Sequence, residues 1–166
     1  MTRRDIVIGL IILVLLGGVI FYRQKQRSSE EEMRVPETLS SVQENIEKKF
    51  NLRIPEDMDK AELKDVSGAG SSAIATRKFD NGKFNASILA DLPDPAAGSF
   101  YQAWLVKSEE GKDDSFISLG KLELAKGGWM LNYQGSEDLK DHPKVLVTSE
   151  KTQDSTPETH ILEGSF

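Results

Sequence analysis

The sequence predicts a mainly β protein: an antiparallel β-sandwich of about seven strands, preceded by an N-terminal transmembrane helix and a short amphipathic helix. Three observations carry that expectation. Short runs of alternating apolar and polar residues recur from Ala73 onward, separated by Gly-, Asp- and Lys-rich turns. Asn81-Gly82 sits between two extended runs, and Asn-Gly is a strong local hairpin signal because both residues tolerate positive φ. No helix of crossover length lies between the runs, which argues against a parallel sheet.

Composition sets the outer bounds. A chain of 166 residues, 38% hydrophobic and 29% charged, has room for one domain with a sizeable core plus an appendage. It contains no cysteine, which excludes disulfides, thiol nucleophiles, the usual structural zinc sites and a lipidated cysteine. The net charge is −6; the first 27 residues hold five Lys/Arg and one Asp, leaving 16 basic against 26 acidic residues, or −10, in the remainder. Such a remainder is not expected to bind a phosphate backbone, so no nucleic-acid partner is expected.

Residues 1–23 read as a membrane anchor. Ile6 to Tyr22, IVIGLIILVLLGGVIFY, is an uncharged run of about 17 residues, near the lower limit for spanning a hydrocarbon core. A cleaved signal peptide is the alternative, but the run ends in Phe21-Tyr22-Arg23 rather than in small residues suited to cleavage. A buried helix of a soluble protein would be expected to show a polar face, and the run has none. The expected bilayer partner is thus met through Ile6 to Tyr22. Arg3 and Arg4 precede the span, and Arg23, Lys25 and Arg27 follow it, so charge alone does not orient it. The reading adopted puts Met1 to Asp5 in the cytoplasm and the acidic remainder outside; the reverse orientation stays open.

Residues 24–37 are polar and charged, as in a juxtamembrane linker. Residues 38–72 are expected to supply an amphipathic helix and a loop leading into the domain. Leu39, Val42, Ile46 and Phe50 recur three or four positions apart within Thr38 to Asn51, with Thr38 as a candidate cap. The run is too short for a sustained coiled coil, so packing on the domain is expected. Pro55 interrupts the pattern, and Asp65 to Ser72, DVSGAGSS, is a loop of small residues.

Residues 73–166 form the expected sandwich. Counting outward from Asn81-Gly82 pairs Phe79 with Phe84, Arg77 with Ala86 and Ala75 with Ile88, which puts Phe84, Ala86, Ile88, Ala90 and Leu92 on one inner face. Leu92-Pro93-Asp94-Pro95 ends the hairpin. The next run, Ser99 to Val106, SFYQAWLV, holds three of the chain's twelve aromatic residues. Phe100, Gln102, Trp104 and Val106 face one way and Tyr101, Ala103 and Leu105 the other, so this strand is expected to be covered on both faces. Further strands are expected at Phe116 to Leu122, Trp129 to Tyr133, Val145 to Ser149 and His160 to Glu163. One helical turn capped by Ser136 is expected between two of them.

Catalytic signals are missing. The sequence contains no phosphate-binding loop, dinucleotide fingerprint or hydrolase elbow. His142 and His160 lie in DHPK and ETHI, each near one acid, and are read as solvated loop or strand-edge residues rather than metal ligands. Glu109, Glu110, Asp113 and Asp114 lack the alternating ligand pattern of a calcium loop and read as a polar turn. No catalytic residue, cofactor or metal is assigned. Trp129 and Tyr133 are the candidate ligand or partner contacts, because Gly127 and Gly128 leave Trp129 less surrounded than Trp104.

Two stretches carry a resemblance. Tyr101-Gln102-Ala103-Trp104-Leu105-Val106, a polar turn, and Ser118-Leu119-Gly120 are followed near the end by Lys144-Val145-Leu146-Val147-Thr148-Ser149-Glu150, Pro157 and Ile161-Leu162-Glu163-Gly164. Together they resemble the C-terminal, extracytoplasmic domain of the anti-sigma-K factor family, over roughly Phe84 to Phe166. The resemblance implies an exported β-sandwich in a regulatory setting. Members of that family usually also carry a cytoplasmic sigma-binding domain, often with a zinc-binding His/Cys motif. Only Met1 to Asp5 precede the span here, so direct sigma-factor inhibition is not expected of this polypeptide. Lys151 to Thr156, KTQDST, replaces a glycine-rich turn. The resulting expectation is a non-catalytic sensory or protein-interaction module meeting an unidentified extracytoplasmic protein or cell-envelope ligand. The alternative is a glycan or small-ligand binding module.

Overall fold

The computed structural model describes residues 37–111 and 113–166, with side chains from Val42 onward. The expected anchor at Ile6 to Tyr22, the linker after it, the Thr38 cap and the Leu39 side chain lie outside those limits. No helix among the described residues is long and apolar enough to cross a membrane. One helix, α1 (Glu37–Phe50), precedes nine strands: β1 (Asp59–Asp65), β2 (Ser72–Asp80), β3 (Lys83–Asp91), β4 (Phe100–Lys107), β5 (Ser115–Lys121), β6 (Glu123–Ala125), β7 (Gly128–Gly135), β8 (Lys144–Glu150) and β9 (Thr159–Ser165).

The central hairpin follows its turn chemistry. Asn81 and Gly82 have φ of 51° and 72°, and the β2–β3 register runs Asp80 to Lys83, Phe79 to Phe84, Arg77 to Ala86 and Ala75 to Ile88. Phe84, Ala86, Ile88, Ala90 and Leu92 all enter the main core, joined there by Tyr101, Ala103 and Leu105 from β4. The opposite face of β4 puts Trp104 and Val106 against Leu146 of β8, with Phe116 of β5 beside them. Trp104 is 1% exposed and donates its indole N–H to Thr148 Oγ1 at 2.8 Å. Both faces of SFYQAWLV are therefore covered, as its composition predicts.

The nine strands form one antiparallel sheet in the order β5-β4-β8-β9-β1-β2-β3-β7-β6. This corrects the expected two-sheet sandwich of about seven strands to a single sheet curled nearly into a barrel. Closure depends on a corner. Only Leu122 separates β5 at one end of the strand order from β6 at the other. Leu122 is buried in the core and donates its backbone N–H to the Tyr101 carbonyl at 2.9 Å. Gly120 has φ of 120° and lies where the β4–β5 register shifts, so the bend uses a backbone conformation that other residues rarely adopt.

Strand β1 completes the sheet between β2 and β9 although its sequence, DKAELKD, shows little strand signal. Only Ala61 and Leu63 point into the core. Residues 136–143 form turns rather than the expected helical turn; Lys140 N–H is capped by Asp138 Oδ1 at 3.1 Å, and Leu139 is buried in the core.

Helix α1 lies on the outer face of β2, β3 and β7. Ile46 and Phe50, followed by Ile54, pack on Ile74 and Leu89, with Val42 and Met130 at the margin. Asn51 ends the helix with φ of 49°, and Leu52 N–H bonds back to the Glu47 carbonyl at 3.0 Å. The Glu47 side chain then accepts the Ile54 N–H at 2.9 Å, holding the segment after the helix against the sheet. Phe50 needs Gly128 opposite it, since a Cβ there would lie 2.4 Å from the ring.

Candidate functional site

Strand β7 positions the two candidate contacts. Trp129, Leu131 and Tyr133 pack against the barrel core, whereas Gly128 and Met130 meet α1 on the other face. Trp129 meets Tyr101 edge-to-face at 5.4 Å and 78°; Tyr133 meets Phe84 in the same manner at 6.3 Å and 67°. Both rings are half-buried. Tyr133 lies along a seam in the barrel wall, and Trp129 lies at the end of that seam where β6 still pairs with β7.

The seam exists because closure is partial. β6 pairs with β7 through residues 128–130, and beyond Met130 β7 pairs with β3 alone among the described strands. On the opposite lip, β5 pairs with β4 alone. The lips meet where Leu131 Cδ1 comes within 3.5 Å of the position a Cβ on Gly120 would take. Four of the seven half-buried apolar side chains packed on the main core are Ile117, Trp129, Leu131 and Tyr133, two or three residues from that apex or at it. Residues 115–119 and 131–135 hold no charged side chain in a chain that is 29% charged.

A second concavity lies on the outer face of the sheet. A cleft of about 120 Å³ has Val106, Phe116 and Leu146 as its apolar floor and Asp114, Lys144, His160 and Glu163 among its polar lining. His160 Nδ1 lies 2.6 Å from Glu163 Oε1, and Lys144 donates to Ser108 Oγ at 2.8 Å. His160 and Glu163 are thus engaged with each other, and Lys144 with a residue outside the lining.

The other histidine has a different setting. His142 is 7% exposed, which corrects its expected solvation. Its Nδ1 lies 2.7 Å from Asp141 Oδ1, and its carbonyl accepts from Arg77 at 2.8 Å. Lys107 bonds Asp141 at 3.0 Å; with the His142 contact it holds the Asp141 carboxyl below its ordinary pKa. Arg77 also stacks over the Phe166 ring at 4.1 Å, and Phe166 N–H bonds the Pro143 carbonyl at 2.9 Å. His142 belongs to a tether joining residues 136–143 to β2 and to the last residue. Among the described residues, no three His, Asp or Glu side chains assemble as a metal-ligand group.

The motif residues prove to be fold-building. Thr148 holds Trp104, and Glu150 accepts the Glu158 N–H at 3.0 Å across the last turn. Glu158 in turn accepts the N–H groups of Lys151 and Thr152 at 3.1 and 3.0 Å, so polar side chains organise the KTQDST segment without glycine. Gly164 lies where a Cβ would come 2.4 Å from the Glu62 carbonyl oxygen, which explains the closing I-L-x-G. The family model described as anti-sigma-K factor rskA, C-terminal, matches residues 7–161.

The chain belongs to this family.

The anti-sigma-K match reaches further toward the N-terminus than the motif residues do, taking in α1 and β1. No curated protein and no solved structure matches the chain. Membership supports a regulatory domain. The seam's β5 lip, Ile117 above all, is the part of the candidate site that sequence reasoning missed; its sole signal is an uncharged run, SFISL, in a strongly charged chain.

Proposed function

We propose that the chain is a membrane-anchored, extracytoplasmic regulatory module without catalysis, and that it works by binding a protein in the cell envelope. The observation that carries this reading is the anti-sigma-K C-terminal family match over residues 7–161. The run Ile6 to Tyr22 supports anchoring, because an uncharged segment of about 17 residues can cross a hydrocarbon core with basic residues at both ends. The geometry of Trp129 and Tyr133 favours a protein over a glycan. Each ring is half-buried and engaged by another aromatic side chain, which leaves little free face for stacking on a sugar.

Topology supplies the test. In spheroplasts of cells producing the full chain, added protease is expected to degrade the C-terminal domain while a cytoplasmic control survives. Survival of the domain while a known exported control is cut would contradict the reading.

A further inference from the structure

The two lips of the barrel seam are both strand edges, and both are uncharged over residues 115–119 and 131–135. We propose that the seam takes an added β-strand: an extended, uncharged, alternately apolar segment of an extracytoplasmic partner protein, pairing with residues 115–119. This rests on the protein-binding function proposed above and specifies how the partner is held.

The backbone provides the first reason. An edge strand presents N–H and C=O groups on the side away from its neighbour, and natural proteins guard such edges with charges, proline, bulges or covering segments. β5 has β4 on one side and the seam on the other. Its residues 115–119, SFISL, include neither charge nor proline, and the bulge at Leu119, where the β4–β5 register shifts, leaves residues 115–118 as the regular stretch of that edge. A partner strand laid along β5 would continue the ladder from a fixed register, as in other cases of strand addition.

Side chains provide the second reason. Ile117 and Leu119 pack on the core, while Phe116 lies with Trp104 on the outer face. Alternate residues of an added strand would therefore meet Ile117, Leu131 and Tyr133 on the inner side and Phe116 on the outer side. Phe116 is also part of the cleft floor, so an outward apolar side chain of the added strand would lie beside that cleft. A charged residue at an inner position would be desolvated beside lips that offer no opposite charge. That complementarity selects an uncharged segment.

The test uses the full chain in detergent and an array of peptides of about eight residues in which Val, Ile or Phe alternates with Ser or Thr. Members of the array are expected to bind and to slow amide exchange within residues 115–119 about tenfold or more at saturation. Methylating alternate backbone nitrogens on the bonding edge of a binding peptide should abolish the effect. Ile117→Lys should weaken binding about tenfold, and Ser118→Lys, whose side chain is exposed outside the core, should weaken it less. Absence of any binder, binding that survives methylation at every alternate register, or protection confined to the outer cleft would overturn the proposal. So would protection of residues 115–119 that rises with protein concentration alone, since that result assigns the edge to a second copy of the chain. Protease access to the domain is unaffected by all of these outcomes, so failure of strand addition and failure of the topology are read separately.

Discussion

The outer face beneath α1 and the seam beside β7 are lined with the same kind of residue but are finished differently. Under α1, Ile74 and Leu89 are sealed by Ile46, Phe50 and Ile54, and all five are buried. At the seam, Ile117, Trp129, Leu131 and Tyr133 pack on the core yet stay half-exposed. The first region has its cover within the described chain. The second ends in two strand edges. The contrast separates what stabilises the domain from what the domain can offer to a partner: side chains already sealed contribute to folding, and those along an unpaired edge can be covered later without unfolding anything.

That contrast implies a ranking of mutational effects. The largest should come from truncating sealed side chains. Phe50→Ala is expected to cost about 3–5 kcal/mol in denaturant unfolding, and Trp104→Ala about the same, because each removes a large buried aromatic. A near-native stability for Phe50→Ala would mean that α1 is not a sealing element. Gly164→Ala should come next, at about 1–3 kcal/mol, since the new Cβ would meet backbone that cannot swing aside. Ile117→Ser at the seam should cost about 1 kcal/mol or less, because the side chain is only partly removed from water. A loss equal to that of Phe50→Ala would show that the seam is sealed as tightly as the helix-covered face.

How much of this was legible in the sequence follows from how local each determinant is. Asn81-Gly82 fixes the hairpin register by itself, and the whole inner row from Phe84 to Leu92 follows. Val42, Ile46 and Phe50 reveal the buried stripe of α1 through helical spacing. Strand β1 is hidden because only Ala61 and Leu63 are core residues; its pairing with β2 and β9 comes from distant parts of the chain. Barrel closure is equally non-local, resting on a buried Leu122 and on the backbone of Gly120. His142 reads as a solvated loop residue until Arg77, 65 positions away, binds its carbonyl. The same logic applies to the candidate site. Trp129 and Tyr133 stand out as aromatic residues in a short strand, but the opposing lip is brought to them by the barrel alone.

The smallest effect is local and concerns the loop after β1. Asp65 accepts hydrogen bonds from the N–H groups of Ser67, Gly68 and Ser71 and from the Ser67 hydroxyl, and these hold its carboxyl far below the usual range. Because the folded pKa is depressed, this contribution is present above the ordinary aspartate value of about 4 and is lost as pH falls through the folded value. Asp65→Ala should therefore speed amide exchange at residues 67–71 at neutral pH, with the difference from the unmodified chain shrinking in acid. It should leave both the α1-covered face and the seam unchanged.

Amide hydrogen exchange across the full, unliganded chain tests the contrast most directly. Slow exchange is expected throughout the β2–β3 hairpin beneath α1, and fast exchange at those amides of residues 115–119 and 131–135 that point away from β4 and β3. Uniform protection of those seam amides, equal to that of β2 and β3, would contradict that contrast and would leave the domain with no open strand edge to offer a partner.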